Sequence, residues 1–162
     1  MPPPLLIDLS KIDLNAKPVF DKQAVLDVNP QRYEMQHLDG IIWYDREKLL
    51  ILGYKDVTDK EFWVRGHIPG RPLMPVVIMI EAAAQLSSFF LKKIFEEGGF
   101  IGFAGIENAK FRSVIEPGNR LYLLGHVTKY IKKERTTRVT MDVQGIVDGN
   151  MVFETTVSGM KL

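Results

Sequence analysis

The sequence contains no cysteine and almost no excess of charge of either sign. Without cysteine the chain can form neither disulfides nor thiolate metal sites, which fits a reducing compartment such as the cytoplasm. Lys and Arg total 21 and Asp and Glu total 20, so the formal net charge is +1. A nucleic-acid-binding domain normally carries a strong basic excess. We therefore expect no nucleic-acid partner.

Long uninterrupted apolar runs are also missing. The N-terminal stretch MPPPLLIDLSKIDL has no basic leader and no apolar core, so we expect no signal peptide. The most apolar segment, Met74–Leu91, is interrupted by Glu81 and Gln85. A bilayer crossing needs about 20 mostly apolar residues, and a central charge is costly there. We expect no membrane insertion and interpret the segment as a buried helix.

The chain length of 162 residues suits one domain with a single core. We expect residues 1–18 to form an extended N-terminal segment and residues 19–162 to form that domain. The expected elements are a short helix in Val19–Val28, a hairpin formed by GIIWYD and KLLILGYKDV, a helix over Val76–Phe95, and strands at Leu121–Tyr130, Thr137–Val147 and after Asp148-Gly149. Strands around one long apolar helix indicate an α+β fold with an antiparallel sheet wrapped around that helix.

A constrained loop, RGHIPGRPLMP, precedes the long helix and contains three prolines, two glycines and one histidine. Glycine permits unusual dihedral angles and proline fixes φ, so the backbone around His67 has little freedom. A rigid backbone suits a side chain that must be held in one orientation, and His67 is a candidate general base. A purely structural role for His67 stays open from these residues alone. His37 and His126 lie in strand-like surroundings without a partner motif, and we interpret both as structural.

Glu81 is a carboxylate inside the apolar helix. Such a group is paired, neutral or kept for function. Gln85 lies one turn further on the same face, so a hydrogen bond between the two is the structural alternative. If Pro75 begins the helix, Glu81 lies about 9 Å further along the axis. The free N–H groups of Val76 and Val77 then stand where an oxyanion would be stabilised, and a His, a Glu and a helix N-terminus can together remove a proton next to a carbonyl.

The stretch GHIPGRPLMPVVIMIEAAAQ resembles the signature of the hotdog-fold 3-hydroxyacyl-[acyl carrier protein] dehydratases of type II fatty acid synthesis. The family pattern reads approximately G-H-F-P-x-x-P-x-M-P-G-V-L-x-x-E-A-x-A-Q. The segments NPQRYEM, GFAGIENAKFRSVIEPGNRL and VDGNMVFE also resemble the family, so the similarity spans residues 19–162. The resemblance implies a hotdog fold, in which an antiparallel sheet wraps around a long central helix.

The resemblance also implies a reaction and its residues. His67 matches the catalytic histidine, and Glu81 matches the catalytic acid of the branch that uses Glu. In the family the two come from opposite subunits of a homodimer, and assembly into a trimer of dimers stays open. The substrate is a 3-hydroxyacyl thioester on the phosphopantetheine of acyl carrier protein, which is the expected partner, and no metal or organic cofactor is implied. The expected substrate-binding residues are Pro69, Val76, Val77 and Gln85.

Four positions depart from the family pattern, and three functions stay open. The departures are Gln31 for His, Ile68 for Phe, Val76 for Gly and Asn119 for Asp. The leading function is a dehydratase that produces a trans-2-enoyl thioester. A hotdog acyl thioesterase, which would add water to the carbonyl, is the second. The third is a non-catalytic acyl-binding or partner subunit, which Val76 favours because its branched side chain stands where the substrate should pass.

Basic side chains are the expected contacts with an acidic carrier surface. The candidates are Lys110, Arg112, Arg120, Lys132 and Lys133. For each of them alone, simple solvation is the commoner role of a surface cation.

Overall fold

The computed structural model describes all 162 residues. Its helices and strands are α1 (Lys22–Val28), β1 (Gly40–Asp45), β2 (Leu50–Asp56), α2 (Val76–Phe89), β3 (Ile101–Phe111), β4 (Arg120–Lys132), β5 (Thr137–Val147) and β6 (Asn150–Lys161). Short 3₁₀ turns occupy Leu9–Lys11 and Tyr33–Met35, and α2 continues as a π-helical turn over Phe90–Ile94. The predicted short helix, hairpin, long helix and later strands are confirmed.

The six strands form one antiparallel sheet in the order β1-β2-β4-β5-β6-β3. Tight turns join β1 to β2 and β5 to β6. In the second turn Asp148 has a φ of 49° and Gly149 a φ of 78°, as a two-residue type I′ turn requires. β3 pairs only with β6 and therefore forms one edge of the sheet.

The long helix α2 packs against the inner face of the sheet. A Cβ added to Gly53 on β2 or Gly125 on β4 would lie 2.8 or 3.0 Å from a methyl carbon of Leu86. The two glycines therefore allow the helix to approach the strands closely. Inner-face side chains and α2 together form a core of 28 buried residues, whose burial is the main favourable term in folding. None of the helices combines the length and hydrophobicity that a bilayer crossing requires.

One stripe of α2 stays open in the single chain. Val77 is 68% exposed, and Glu81, Ala84 and Ser88 are partly exposed. Their spacing of three to four residues places them on one side of the helix. We call these four residues the open stripe of α2. The sheet covers part of the remaining helix surface, and segments that precede β1 contact the helix at Gln85 and Phe89.

The N-terminal segment lies across the outer face of the sheet, opposite α2. Ile7 is 3% exposed and packs into a second apolar cluster formed by Ile42, Leu52, Leu124 and Ile146. The side-chain amide of Gln144 fixes the segment by accepting the Leu6 N–H at 2.9 Å and donating to the Pro4 carbonyl at 3.0 Å. The segment thus shields apolar side chains that would otherwise face water.

Candidate active site

The loop before α2 is held by backbone hydrogen bonds. Ile68 and Arg71 each donate an N–H to the other's carbonyl, at 3.1 and 2.8 Å, across the turn Pro69-Gly70. The glycine of this turn has a φ of 79°, and a proline followed by a positive-φ glycine is typical of a type II turn. The Leu73 N–H donates to the His67 carbonyl at 2.8 Å. The backbone of His67 is therefore fixed by the turn that follows it.

The imidazole of His67 is also oriented. Its Nδ1 lies 2.7 Å from the carbonyl oxygen of Leu73. A carbonyl can only accept, so Nδ1 carries the proton and donates it. In the neutral ring the lone pair is then on Nε2, and the residue is exposed. In its neutral form the ring therefore presents Nε2 as a hydrogen-bond acceptor on the protein surface.

The start of α2 offers free backbone donors. Pro75 occupies the N-cap position, and the helix begins at Val76, as the sequence pattern predicted. The Pro75 carbonyl accepts from the N–H groups of Ile78 and Met79, at 2.9 and 3.2 Å. The N–H groups of Val76 and Val77 have no acceptor within the chain. These two donors lie at the positive end of the helix dipole, where negative charge is stabilised.

Glu81 and Gln85 form the hydrogen bond that their spacing predicts. Gln85 Nε2 donates to Glu81 Oε1 at 2.9 Å and to the Met35 carbonyl at 2.7 Å. Gln85 Oε1 accepts the His37 N–H at 2.8 Å, and Asn29 Nδ2 donates to the Gln85 carbonyl at 3.0 Å. Both N–H bonds of the Gln85 amide are in use, and the residue is buried. Gln85 therefore orients the Glu81 carboxyl group and has no N–H left for a substrate.

A cavity of about 60 Å³ lies beside Glu81. Its walls are formed by α2 with Ala84, Ser87 and Ser88, by the first residues of β3, by the end of β6 and by Gln31. Because Ala84 has a small side chain, space remains between the helix and the strands. A chain bound to this cavity would extend from Glu81 along the second half of α2. We call this space the Glu81 cavity.

Within one chain, the structure brings together only some of the predicted site residues. Glu81 and Gln85 are hydrogen-bonded, and both lie on the helix that begins with Val76 and Val77. His67 does not line the Glu81 cavity, and neither does the rest of its loop. A single chain therefore has the Glu81 carboxyl group and its cavity in one region and the His67 imidazole in another.

Several residues around the site were not found from the sequence. The Leu73 carbonyl that fixes the His67 tautomer leaves no side-chain signal in the sequence. The segment Asn29–His37, which holds Gln85, lies about 50 residues away along the chain. Ser87 and Ser88 did leave a signal, since they are two adjacent hydroxyl groups in a mainly apolar helix that also contains Glu81 and Gln85.

The other two histidines lie outside the Glu81 cavity. His37 is fully buried, and neither ring nitrogen has a hydrogen-bond partner. Burial, with a smaller contribution from the nearby Lys55 charge, lowers the pKa of His37 from 6.5 to about 4, against an opposing effect of Glu61. His126 lies on β4 and is partly exposed.

A larger groove of about 700 Å³ lies beside Lys55 and Glu61. The Lys55 Nζ is 3.0 Å from Glu61 Oε1. Burial raises the pKa of Glu61, but hydrogen bonds from Thr58 and Lys55 outweigh this effect and leave the pKa below its usual value. None of the predicted site residues lines the groove. No cluster of three or more potential metal-binding His or carboxylate side chains occurs anywhere in the chain.

A family model described as a FabA-like domain matches residues 29–156, which is most of the chain. The chain belongs to the FabA-like family. Two curated relatives are named 3-hydroxyacyl-[acyl-carrier-protein] dehydratase FabZ. The relative from Rickettsia akari is 33% identical over 144 residues, which cover 88% of this chain and 96% of the relative. The relative from Bacillus pumilus is 38% identical over 112 residues, which cover 68% of this chain and 77% of the relative.

Solved structures resemble this FabA-like chain in fold. A chain of the dehydratase heterocomplex ApeI:P from Xenorhabdus doucetiae has a TM-score of 0.67 at 13% identity, covering 85% of this chain and 90% of that one. Cj0977, a sigma28-regulated virulence protein from Campylobacter jejuni, has a TM-score of 0.62 at 17% identity, covering 87% and 88%. At such identities the likeness concerns the fold alone, and it confirms the hotdog fold.

Proposed function

We propose that this FabA-like protein is a 3-hydroxyacyl-[acyl carrier protein] dehydratase of fatty acid biosynthesis, a hydro-lyase that forms trans-2-enoyl thioesters. The named relatives match it over most of its length. The observation that carries the proposal is the hydrogen bond from His67 Nδ1 to the Leu73 carbonyl. This bond leaves Nε2 as the proton acceptor, as a base that acts next to a carbonyl requires.

Two side chains would carry the proton transfers. His67 Nε2 removes a proton from C2 of the substrate, the carbon next to the thioester carbonyl. The electron pair of that C–H bond becomes the second bond between C2 and C3. The C3–O bond breaks, and the hydroxyl group leaves as water after it receives a proton from Glu81, directly or through a water molecule. The N–H groups of Val76 and Val77 donate to the thioester oxygen, where negative charge develops in the transition state.

The neighbouring residues would position these groups. Gln85 orients the Glu81 carboxyl group through the bond at 2.9 Å. Pro69 is exposed two residues after the histidine, and we assign it to the path along which the thioester reaches His67. The turn that contains Pro69 also keeps the backbone of His67 in place.

A second copy of the chain would complete each site. His67 lies outside the Glu81 cavity of its own chain, and the open stripe of α2 is uncovered. The edge strand β3 exposes Phe103, Ile106 and Phe111, and large exposed apolar patches usually mark interfaces. We infer a homodimer in which Glu81 of one subunit and His67 of the other face one substrate. This arrangement requires no further assembly into a trimer of dimers.

The proposed macromolecular partner is acyl carrier protein. Three of the five candidate cations are held by carboxylates of the same chain, namely Arg112, Arg120 and Lys132. Lys110 and Lys133 are exposed and form no ion pair. We therefore assign these two lysines to contact with an acidic carrier surface.

Incubation with 3-hydroxyacyl and trans-2-enoyl thioesters of several chain lengths tests the proposal. We expect the two thioesters to interconvert, with little release of free thiol. The ultraviolet absorbance of the conjugated enoyl thioester measures the interconversion. Thiol release without enoyl product would indicate the thioesterase instead.

A non-catalytic partner subunit is the second candidate function. It is favoured by Val76, whose side chain stands at the helix start where the thioester should approach. Absence of turnover at every chain length, without recovery in Val76→Gly, would support this candidate against the dehydratase.

A further inference from the structure

Arg32 joins three carbonyl groups at the end of α1. Its Nη1 donates to the carbonyls of Asn29 and Gln31, at 2.8 and 2.9 Å, and its Nη2 donates to the Leu26 carbonyl at 2.8 Å. Leu26 belongs to α1, whereas Asn29 and Gln31 follow the helix. Because a guanidinium group is planar and its donors have a fixed arrangement, Arg32 holds the segment that follows α1 against the end of that helix.

The segment after α1 forms three hydrogen bonds with Gln85. Asn29 Nδ2 donates to the Gln85 carbonyl at 3.0 Å. The Met35 carbonyl accepts from Gln85 Nε2 at 2.7 Å, and the His37 N–H donates to Gln85 Oε1 at 2.8 Å. Since one backbone partner only accepts and the other only donates, a rotation of the amide by half a turn would lose both bonds. The remaining N–H of the amide is thereby directed to Glu81, at 2.9 Å.

Asn29 has a polar side chain in a buried position. It is 3% exposed, its Oδ1 has no partner, and the bond to Gln85 is the one hydrogen bond that its side chain forms. An apolar side chain of similar size would avoid the cost of the unpaired oxygen. Neither Asn29 nor Arg32 lines the Glu81 cavity. Both therefore act on the site through Gln85.

We propose that Asn29 and Arg32 are positioning residues of the dehydration. Through Gln85 they hold the Glu81 carboxyl group where it protonates the departing hydroxyl group. The inference rests on the proposed dehydratase function and adds two residues to it. A misplacement of about 1 Å can cost about 100-fold in rate, so the loss of either residue should lower kcat.

Asn29→Leu and Arg32→Gln test the proposal in steady-state kinetics. Each should lower kcat by about 10- to 100-fold and change KM by less than about 3-fold, because the general acid is misplaced while the substrate contacts remain. Asn29→Leu removes a single hydrogen bond, so it carries the test if Arg32→Gln does not fold. The matched control is Arg46→Gln. Arg46 also donates to a backbone carbonyl, that of Ile94 beyond the end of α2, and this variant should keep the wild-type kcat.

Combination with Gln85→Leu separates positioning from general damage to the fold. If Asn29 and Arg32 act through the Gln85 amide, neither substitution should lower kcat further once Gln85→Leu has removed that amide. The same fold-loss in the double variants as in the single ones would overturn the proposal. Single variants with the wild-type kcat would overturn it as well, and the dehydratase function would still stand.

Hydrogen exchange measures the same contacts without turnover. The acceptor of the His37 N–H is Gln85 Oε1, so this N–H should exchange at least about 10-fold faster in Asn29→Leu and Arg32→Gln than in the wild type, because the segment opens more often. Arg46→Gln should keep the wild-type exchange rate. Unchanged protection in both site variants would overturn the proposal, since Gln85 would then be held without them. An inactive wild type with the expected exchange rates would contradict the dehydratase function and not the hold on Gln85.

Discussion

His67 and Glu81 are held by partners of different kinds. The carbonyl of Leu73 fixes the tautomer of His67, whereas the amide of Gln85 donates to the carboxyl group of Glu81. The first contact leaves a ring nitrogen ready to accept a proton. The second fixes one carboxyl oxygen and leaves the other for the departing hydroxyl group. The two residues thus suit opposite halves of an elimination.

Removal of either group should abolish most turnover. We expect His67→Ala and Glu81→Gln each to lower kcat by about 10²- to 10⁴-fold, the usual contribution of a general acid or base. The fold should persist because His67 is exposed, and a glutamine at position 81 can still accept from Gln85. Steady-state kinetics and thermal unfolding measure the two effects. His126→Ala, on the partly exposed His126 of β4, is the control, and full activity in either site variant would refute the assignment.

His37 makes the stability of the protein depend on pH. Its pKa is lowered by burial to about 4 in the folded chain, against 6.5 for an ordinary histidine. Between these values the unfolded state binds more protons. The contribution of His37 to stability is therefore fully present above pH 6.5 and is lost as pH falls toward 4. The neighbouring charges, Lys55 and Glu61, form an ion pair at 3.0 Å.

We expect His37→Leu to remove this pH dependence. From pH 7.5 to pH 4.5 the wild type should lose about 2 kcal/mol more unfolding free energy than the variant does. The variant should also be no less stable at pH 7.5, because the two ring nitrogens of His37 have no partner. Urea unfolding at both pH values measures the difference. If the unfolding free energies of the two proteins change equally with pH, His37 is not the source of the pH dependence.

Local spacing made part of the site predictable. The bond between Glu81 and Gln85 follows from helix geometry, because residues four apart share a face. The contacts of Gln85 with Met35 and His37 join residues 50 and 48 positions apart. Such contacts depend on how the whole chain packs, so no local pattern in the sequence predicts them. The same holds for the Glu81 cavity, which combines α2 with β3 and β6.

At the scale of elements, the N-terminal segment contributes to stability from outside the sheet. Ile7 is buried against the outer-face cluster, whereas the nearby Leu5 is exposed. We expect Ile7→Ala to lower the unfolding free energy by about 2 kcal/mol, the lower range for a buried isoleucine. Leu5→Ala should change it by less than about 0.5 kcal/mol, as exposed substitutions usually do. Equal effects in urea unfolding would mean that the segment is not docked in solution.

At the start of α2, a substitution of Val76 should change both the stability of the helix and the rate of dehydration. Glycine is less favourable than valine in a helix by a few tenths of a kcal/mol, and Val76 is exposed, so Val76→Gly should cost little stability. The thioester oxygen must come within about 2.7–3.1 Å of an N–H group at the helix start. Valine methyl groups crowd that approach, so we expect the variant to dehydrate short model thioesters faster than the wild type. An active wild type with no gain in the variant would show that the valine is already accommodated.

At the scale of the whole molecule, patterns in the sequence predicted the helices and five of the six strands, but neither the strand β3 nor the order of the strands in the sheet. Alternation of apolar and polar residues indicated the strands, and Asp148-Gly149 marked the last hairpin. The edge position of β3 beside β6 could not be predicted in this way. Pairing between strands distant in sequence is set by packing around α2, which no single segment encodes. That edge position leaves Phe103, Ile106 and Phe111 of β3 exposed.

A homodimer with shared sites gives the last prediction. Neither His67→Ala nor Glu81→Gln alone should be active, and each would form a symmetric dimer. After subunit exchange of equal amounts, half of the dimers should combine the two variants. In such a dimer one site contains both substitutions and the other contains neither, so about a quarter of all sites should regain wild-type turnover, as two-fold symmetry requires. Activity measured before and after exchange, with sedimentation to confirm dimers, tests this. A stable monomer at micromolar concentration would exclude the shared site. Exchanged dimers without recovery would also exclude it, because a site formed within one subunit always contains one of the two substitutions, whichever subunits combine.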